Sequence, residues 1–577
     1  MRPHLKNIAS AALLTFSALL PLKAGSLVMP DSIPIFQDNF LGYVIGVWPR
    51  GWFYIGAALV LGLCLPAFSG AKRTIASAWF VTLYMLTVAL ACLGGINATR
   101  GGYVIETLTY LLALAAYFES VRLFLADGGS ARSRLIGAWS VGILLALLLA
   151  SHQYLWGFDD MKAYLDEQRT SGVSISAVLD AKIADRRTHV PFDLPNSLAG
   201  FLLLALPVLT VGTWRFCSRF EPPKLTQYLI TPLVILAGIG VFVSTRSRAA
   251  FLALALALAG VAVIRLKNKW LRGTMVVLLL VSIIVGAFMA ARSGRGLQSI
   301  RSRLDYDHVA AHMLARHPLA GAGWGEFYYE YMMNKSGGTE ESPHSPHNVV
   351  LAVGSQAGVF AMFAMIAVML WPFAVLIRRN RRGGIDGGVM LLAFGLAAFS
   401  FHSLADVNGL VPASAALWGA VALLVVDGGP ATEVSRPRRA AGYLLLFVVL
   451  ALALLNIESS RRLAKLDDYQ GRSAAKIAEL AESAAELGAE PAYFIASAKL
   501  KNFDPAAAER MLDLAINSAP RDPGPWIDKM ELYLRQGRMD DAETALSEAI
   551  ARFPDNWLLS GTASQSMENI ERSRSMK

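Results

Sequence analysis

The chain has 577 residues, of which 55% are hydrophobic and only 17% charged, and its 53 Lys and Arg against 43 Asp and Glu give a formal net charge of +10. Its mean hydropathy is +0.45. A soluble chain of this length would fold as about four domains and carry roughly 25% charged residues; apolar stretches of about 20 residues recurring to about residue 456 instead predict an all-α, polytopic membrane protein. A soluble enzyme, a secreted disulfide scaffold and a disordered chain are excluded. Much of the positive excess sits in short loops between spans, where it sets topology and does not point to nucleic acid. The three cysteines, Cys64, Cys92 and Cys217, lie in or beside separate spans without ligand spacing, so neither a disulfide framework nor a zinc site is expected.

In chain order the hydropathy predicts about thirteen spans: Ile8–Met29, Trp52–Phe68, Ile75–Gly95, Tyr103–Leu125, Leu135–His152, Asn196–Thr213, Tyr228–Val243, Ala249–Ile264, Trp270–Ala290, Asn348–Leu376, Gly388–Asp406, Val411–Val426 and Ala440–Asn456. Alternate short loops hold Lys72/Arg73, Arg132/Arg134, Arg215/Arg219/Lys224, Lys267/Lys269/Arg272, Arg378/Arg379/Arg381/Arg382 and Arg436/Arg438/Arg439, and the N-terminus adds Arg2 and Lys6. The positive-inside rule makes these cytoplasmic. The long loops 30–51, 153–195 and 291–347 and the C-terminal tail then face outward. Cleavage of Met1–Gly25 as a signal peptide would leave the later spans in the same orientation.

Residues 1–457 thus read as a membrane domain with an outer loop at 291–347, and 458–577 as a second unit. From Glu458 the chain is charged and Ala-rich. Trp526, Tyr533, Gly537, Ala542, Leu546, Ala549 and Pro554 fall at tetratricopeptide spacing, and Ala508, Leu512, Ala515 and Pro520 stand one period earlier. Lys529 and Met530 replace the usual Leu-Gly pair, and Ala474, Ala478 and Ala481 suggest one further degenerate unit. The expected structure is about two to three helix pairs, acting as a spacer or cap, or as a docking surface for an acceptor or partner.

Arg246 and Arg248, in Val243-Ser-Thr-Arg-Ser-Arg-Ala249, stand on the outer side against the positive-inside rule. They either snorkel to lipid phosphate or serve an anionic diphosphate, which a planar guanidinium fork suits. Five of the nine histidines fall in 291–347: His308, His312, His317, His344 and His347. Residues 301–312 form an amphipathic helical pattern that holds Arg301 and Arg303 and leads to Arg316-His317-Pro-Leu-Ala-Gly321-Ala-Gly323-Trp-Gly325. Such glycines permit positive φ and close backbone approach, or a plain turn. Ser342-Pro-His344-Ser-Pro-His347-Asn348 delivers His347 to the mouth of the tenth span. There an imidazole is suited to accept a hydroxyl proton near neutral pH, unless His347 and Asn348 only cap the helix. His402 and Asp406 stand one turn apart at the end of the eleventh span, either as functional ionisable groups or as a pair that satisfies itself.

The order of these motifs resembles the O-antigen ligase and O-antigen polymerase superfamily of bacterial envelope glycosyltransferases. The resemblance covers roughly residues 190–430: Phe192-Asp-Leu-Pro-Asn196, Thr245-Arg-Ser-Arg248, His317 to Gly325, His347-Asn348 with Leu351, and His402 to Asp406. It implies a multi-span enzyme of the inner membrane that takes a glycan from undecaprenyl diphosphate on the periplasmic side, without metal, cofactor or nucleotide sugar. Carried over by position, Arg248 and Arg303 would hold the diphosphate with Arg246 beside them. His347 would be catalytic, with His317, Asn348, His402 and Asp406 in support. The family usually has an aromatic near position 308, where this chain has His308, so the register leaves Arg301 as an alternative to Arg303.

A lipid diphosphate is a good leaving group, so the chemistry needs positioning, neutralised phosphate charge and one base. The acceptor hydroxyl could belong to another glycan repeat unit, to the lipid A core or to a protein. These correspond to a polymerase, a ligase or a protein O-oligosaccharyltransferase, and a repeat-bearing tail tilts away from the simple ligase. A transporter or flippase is the rival of another class, but it would place charges at the membrane midplane.

Overall fold

The computed structural model describes residues 2–28, 46–68, 70, 73–172, 174–220, 223–265, 268, 270–271, 273–274, 277, 294–334, 343–381, 385–428, 431–432, 436–489 and 491–553. The expected span Trp270–Ala290 lies almost wholly outside them, and Pro554 lies wholly outside. Among the described residues nine helices are long and apolar enough to cross a membrane, and Arg248–Val261, Gly387–His402 and Pro412–Val426 are shorter apolar helices. The only described strands are β1 (Arg73–Thr74) and β2 (Ala431–Thr432), paired antiparallel.

The membrane helices are α1 (Arg2–Lys23), α2 (Arg50–Ala67), α3 (Ile75–Ala91), α4 (Gly101–Leu125) and α5 (Ala131–His152). After the loop helices α6 (Phe158–Thr170) and α7 (Ala177–Ala184) come α8 (Pro195–Cys217), α9 (Pro223–Ser244) and α10 (Arg248–Arg265). The loop at 291–347 forms α11 (Gly294–Arg316) and α12 (Glu326–Asn334). Next are α13 (Val349–Ala357), α14 (Val359–Arg381), α15 (Gly387–His402), α16 (Pro412–Val426) and α17 (Arg436–Asp468). Apolar on every side, α16 is the centre of the bundle: all its residues are buried, against α4, α8, α15 and others.

Basic loops gather at one end. Arg132 donates to the Leu424 carbonyl at 2.6 Å, and Arg379 to those of Val425 and Asp427 at 2.9 and 3.1 Å. The last carbonyls of a helix have no partner within it, and these guanidinium groups supply one to α16. Lys6 pairs with Asp127 beside them, so the N-terminus shares the end that the charge pattern assigned to it.

Several spans differ from the sequence expectation: the first lies earlier, at Arg2–Lys23, and the last continues past Asn456 to Asp468 as one helix. The tenth is not one helix: it breaks at Gly358 (φ 91), where a Cβ would stand 2.2 Å from the Leu319 carbonyl. The Val359 N–H instead bonds Pro318 O at 2.8 Å, which seats the break on the glycine-rich loop. The fifth does not end at His152; it passes through a π-helical turn, Gln153–Gly157, into the polar helix α6.

The tail holds α18 (Ala474–Ala485), α19 (Ala492–Leu500), α20 (Pro505–Ser518), α21 (Gly524–Arg535) and α22 (Met539–Arg552). The repeat positions Ala508, Leu512, Ala515, Trp526, Tyr533, Ala542, Leu546 and Ala549 are buried between them. Gly537 turns the chain at φ 73 between α21 and α22.

Candidate functional site: an arginine turn and a histidine-lined cavity

At the other end of the bundle, the turn between α9 and α10 buries Ser244, Thr245 and Ser247 and leaves Arg246 and Arg248 exposed. Arg246 adopts φ 51 and is engaged by Asp185, with its carbonyl at 3.1 Å and its carboxylate at 3.6 Å. Arg248 opens α10.

A third guanidinium, unmarked in the sequence reading, completes this group. Arg187 donates through Nε to the Thr245 carbonyl and through Nη2 to Asn196 Oδ1, both at 3.0 Å. It thereby joins the arginine turn to the Asp-Leu-Pro-Asn segment at the start of α8. The π turn of α5 presents Gln153, whose Oε1 accepts the His189 and Val190 N–H groups at 2.9 and 3.0 Å and fixes this loop. Burial lowers the pKa of Arg187 below the ordinary arginine value; Asp185 and Asp406 oppose the shift, and Arg248 and Arg246 add to it. Three cations and Asp406 therefore share one electrostatic neighbourhood.

Arg303 lies half-buried on α11, whereas Arg301 is exposed. Arg303 acts electrostatically on both Asp307 and His402. The Asp307 carboxyl is pushed above the usual range by burial, against a hydrogen bond from Asn348 and the charge of Arg303. Asn348 also caps α13, its Oδ1 accepting the Val350 and Leu351 N–H groups at 3.1 and 3.2 Å. The capping reading thus holds for Asn348.

His347, just before that cap, has φ 56, a region that non-glycine residues occupy infrequently. Its ring lies 5.4 Å from that of Tyr306 on α11. It faces a cavity of about 220 Å³, whose wall includes Tyr103, Tyr110, Trp324, His344, Asn348, Gln356 and Asp406. His344 stacks on Tyr328 with ring centroids 4.6 Å apart.

The glycine-rich loop contributes Trp324 to the cavity wall. Gly321, Gly323 and Gly325 all have positive φ (70, 111 and 86). A Cβ on them would stand 2.2 Å from Gln356 C, 2.6 Å from the Ala98 backbone and 2.7 Å from the Tyr103 ring. Both properties expected of these glycines are used. The Gln356 side chain accepts the Gly325 N–H at 2.9 Å, and Trp324 donates through Nε1 to Ala91 O at 2.8 Å.

His402 and Asp406 are buried together but do not satisfy each other. His402 Nδ1 meets the Asn408 amide, a residue the sequence reading passed over, and Asp406 Oδ1 accepts the Val407 N–H at 2.8 Å. His402 Nε2 and Asp406 Oδ2 have no hydrogen-bond partner among the described residues. His317, at the end of α11, is exposed and lies outside the cavity lining.

Residues 232–366 match the family model described as O-antigen ligase, and residues 499–559 match that of a tetratricopeptide repeat. No curated protein matches the chain. The first segment holds Arg246, Arg248, Arg303, His317, His347 and Asn348, while Arg187, Asn196, His402 and Asp406 come to the site from outside it. The chain is therefore a multi-pass membrane protein in which a segment that matches the O-antigen ligase model precedes one that matches a tetratricopeptide repeat, the combination its sequence motifs resembled.

Proposed function

We propose that the protein transfers a glycan from undecaprenyl diphosphate to an acceptor hydroxyl on the periplasmic face of the inner membrane. The family match supports glycan transfer of the O-antigen ligase type. The observation that carries the finer reading is that Arg187 is bonded to the turn that holds Arg246 and Arg248 and shares the field of Asp406, which lines the cavity with His347, while Arg303 acts on the neighbouring His402. Four guanidinium groups at one end of an apolar bundle suit a diphosphate, since they donate several hydrogen bonds to it and neutralise the charge that grows as it leaves. In this scheme His347 takes the proton of the acceptor hydroxyl, whose oxygen bonds to the anomeric carbon while the bond to the diphosphate breaks.

A place for the lipid tail lies alongside. An open, almost wholly apolar groove begins at Asn348 and runs past Leu351, Ile366, Leu370, Phe373, Phe401 and Leu404 between α13, α14 and α15. A polyprenyl chain there would keep its diphosphate at the arginines. The charges at one end of the bundle, not at mid-span, also argue against the transporter or flippase. The acceptor is a further repeat unit in the polymerase reading and a protein hydroxyl in the oligosaccharyltransferase reading. Deleting the gene and identifying which glycoconjugate is lost, and whether lipid-linked units accumulate, separates them.

Arg248→Ala and Arg303→Ala should each weaken donor binding on the order of tenfold or more, with Lys only partly restoring it because an ammonium lacks the planar fork. Donor titration of the purified variants checks this; full activity of Arg248→Ala at limiting donor would remove the assignment.

The orientation carries its own prediction. Cysteines introduced at 246, 320 and at the exposed tail position Ser547 should react with an impermeant thiol reagent in intact spheroplasts, whereas those at 380 and 436 should react only after lysis. Protection of position 547 would place the tail in the cytoplasm and end the periplasmic reading.

A further inference from the structure

The tail grips the membrane domain at the short helix behind the cavity. Arg521 follows the repeat proline Pro520, between α20 and α21, and its guanidinium forks onto two carboxylates of α12: Nη1 donates to Glu326 at 2.8 Å and Nη2 to Glu330. Glu326 has no exposed surface and Glu330 is buried. Glu326 also accepts the Thr99 N–H at 2.8 Å and the Thr99 hydroxyl, and so ties in the turn between α3 and α4. Beside the ion pairs, Met333 of α12 packs against the cluster of Trp526, Ala549 and Phe553.

Two carboxylates at i and i+4 on one helix repel, and buried ones are costly unless a cation pairs with them. Here the cation comes from the tail, across about 190 residues of sequence. Helix α12 reaches the site by two routes. Its N-terminus follows Gly325, which packs on the Tyr103 ring, and Trp324 of the cavity wall. Its Tyr331 ring lies 5.1 Å from Tyr306, which lies 5.4 Å from His347.

We propose that Arg521 is a positioning residue: by neutralising Glu326 and Glu330 it lets the tail hold α12, and through α12 the Tyr306–His347 contact and the Trp324 wall, in the geometry used for transfer. The proposal rests on the reading of His347 as the base. It gives the tail a part in turnover that a spacer or a docking surface would not have, since either would leave the reaction of bound substrates unchanged when Arg521 is altered.

The test uses the full chain in native-membrane vesicles, with undecaprenyl-diphosphate-linked oligosaccharide from the same cells as donor and the vesicles' own acceptor pool. A misplacement of about 1 Å costs on the order of a hundredfold in rate, so Arg521→Ala should lower kcat by about ten- to a hundredfold with donor KM within about twofold. Arg521→Lys should keep part of the rate, and guanidinium ion added to Arg521→Ala should restore part of it. Wild-type kcat in Arg521→Ala, or a loss confined to donor KM, overturns the proposal. Should Arg521→Ala fail to accumulate, Glu330→Leu, which has no acceptor, severs one arm of the fork, and a wild-type kcat there overturns it equally. His347→Ala is assayed in parallel: if it turns over normally, the base assignment falls, whereas an inactive His347→Ala beside a fully active Arg521→Ala removes only the role of Arg521.

Discussion

His347→Ala is expected to abolish glycan transfer while expression and donor binding persist. General base catalysis typically contributes about a hundred- to ten-thousand-fold, and His347 has the placement for it. It lines the cavity, stands on Tyr306 and occupies a backbone conformation held between Pro346 and the cap of α13. Because the phosphate charge is assigned to arginines, activity should also survive EDTA. The informative control is His344→Ala, since His344 lines the same cavity but is stacked on Tyr328. An inactive His344→Ala beside a near-normal His347→Ala would move the base to His344, and an EDTA-sensitive enzyme would end the metal-free mechanism. His317→Ala, at an exposed position outside the lining, should behave like wild type.

Gly321→Ala is expected to destabilise the protein by about 3 kcal/mol and to remove transfer. The methyl group would lie 2.2 and 2.3 Å from Gln356 C and Ala357 N, which are backbone atoms and cannot swing aside as a side chain can. Moving the loop to relieve the clash would break the Asn97 amide bond to the Gly321 carbonyl (2.7 Å) and the Gly323 bond to Gln356 O (3.2 Å). Trp324 would then leave the cavity wall. Thermal unfolding in detergent, with Gly387→Ala as a control whose added methyl meets nothing within 4 Å, measures the effect. A midpoint equal to that of the control would show that the loop is not tightly seated.

Hydropathy made the bundle legible because a helix that spans lipid must be apolar over most of its length. It did not mark the break at Gly358, because only Ser355 and Gln356 interrupt a run from Val349 to Leu376 that is otherwise apolar on both sides of a positive φ. Nor could it show α6, because the polar residues from Asp159 to Thr170 no longer lie in an apolar run. The arginine turn was visible as a charge anomaly and the glycine loop as a spacing. Arg187 had only a weak signal, the Arg186-Arg187 doublet in an outer loop. Asn408 had a weaker one still, a polar residue two places beyond Asp406. The Arg521 contact had none, because nothing local in α12 or in the repeat announces a partner so distant in sequence. In the tail the small and aromatic positions were readable because each repeat needs them to pack against the next.

Helix α17 runs from Arg436 to Asp468 as 33 unbroken residues, about 50 Å at 1.5 Å per residue. That is roughly 20 Å more than the hydrocarbon core of a bilayer, so the tail is carried on a rigid shaft whose angular phase is set by the number of residues beneath it. Inserting one residue near Ile457 would turn everything above by about 100° and swing Arg521 away from α12. Inserting seven would nearly restore the bearing but lift the tail by about 10 Å. Exchange of tails between such proteins would therefore succeed in steps of helical phase, and a graft chosen by repeat boundaries alone would arrive facing the wrong way.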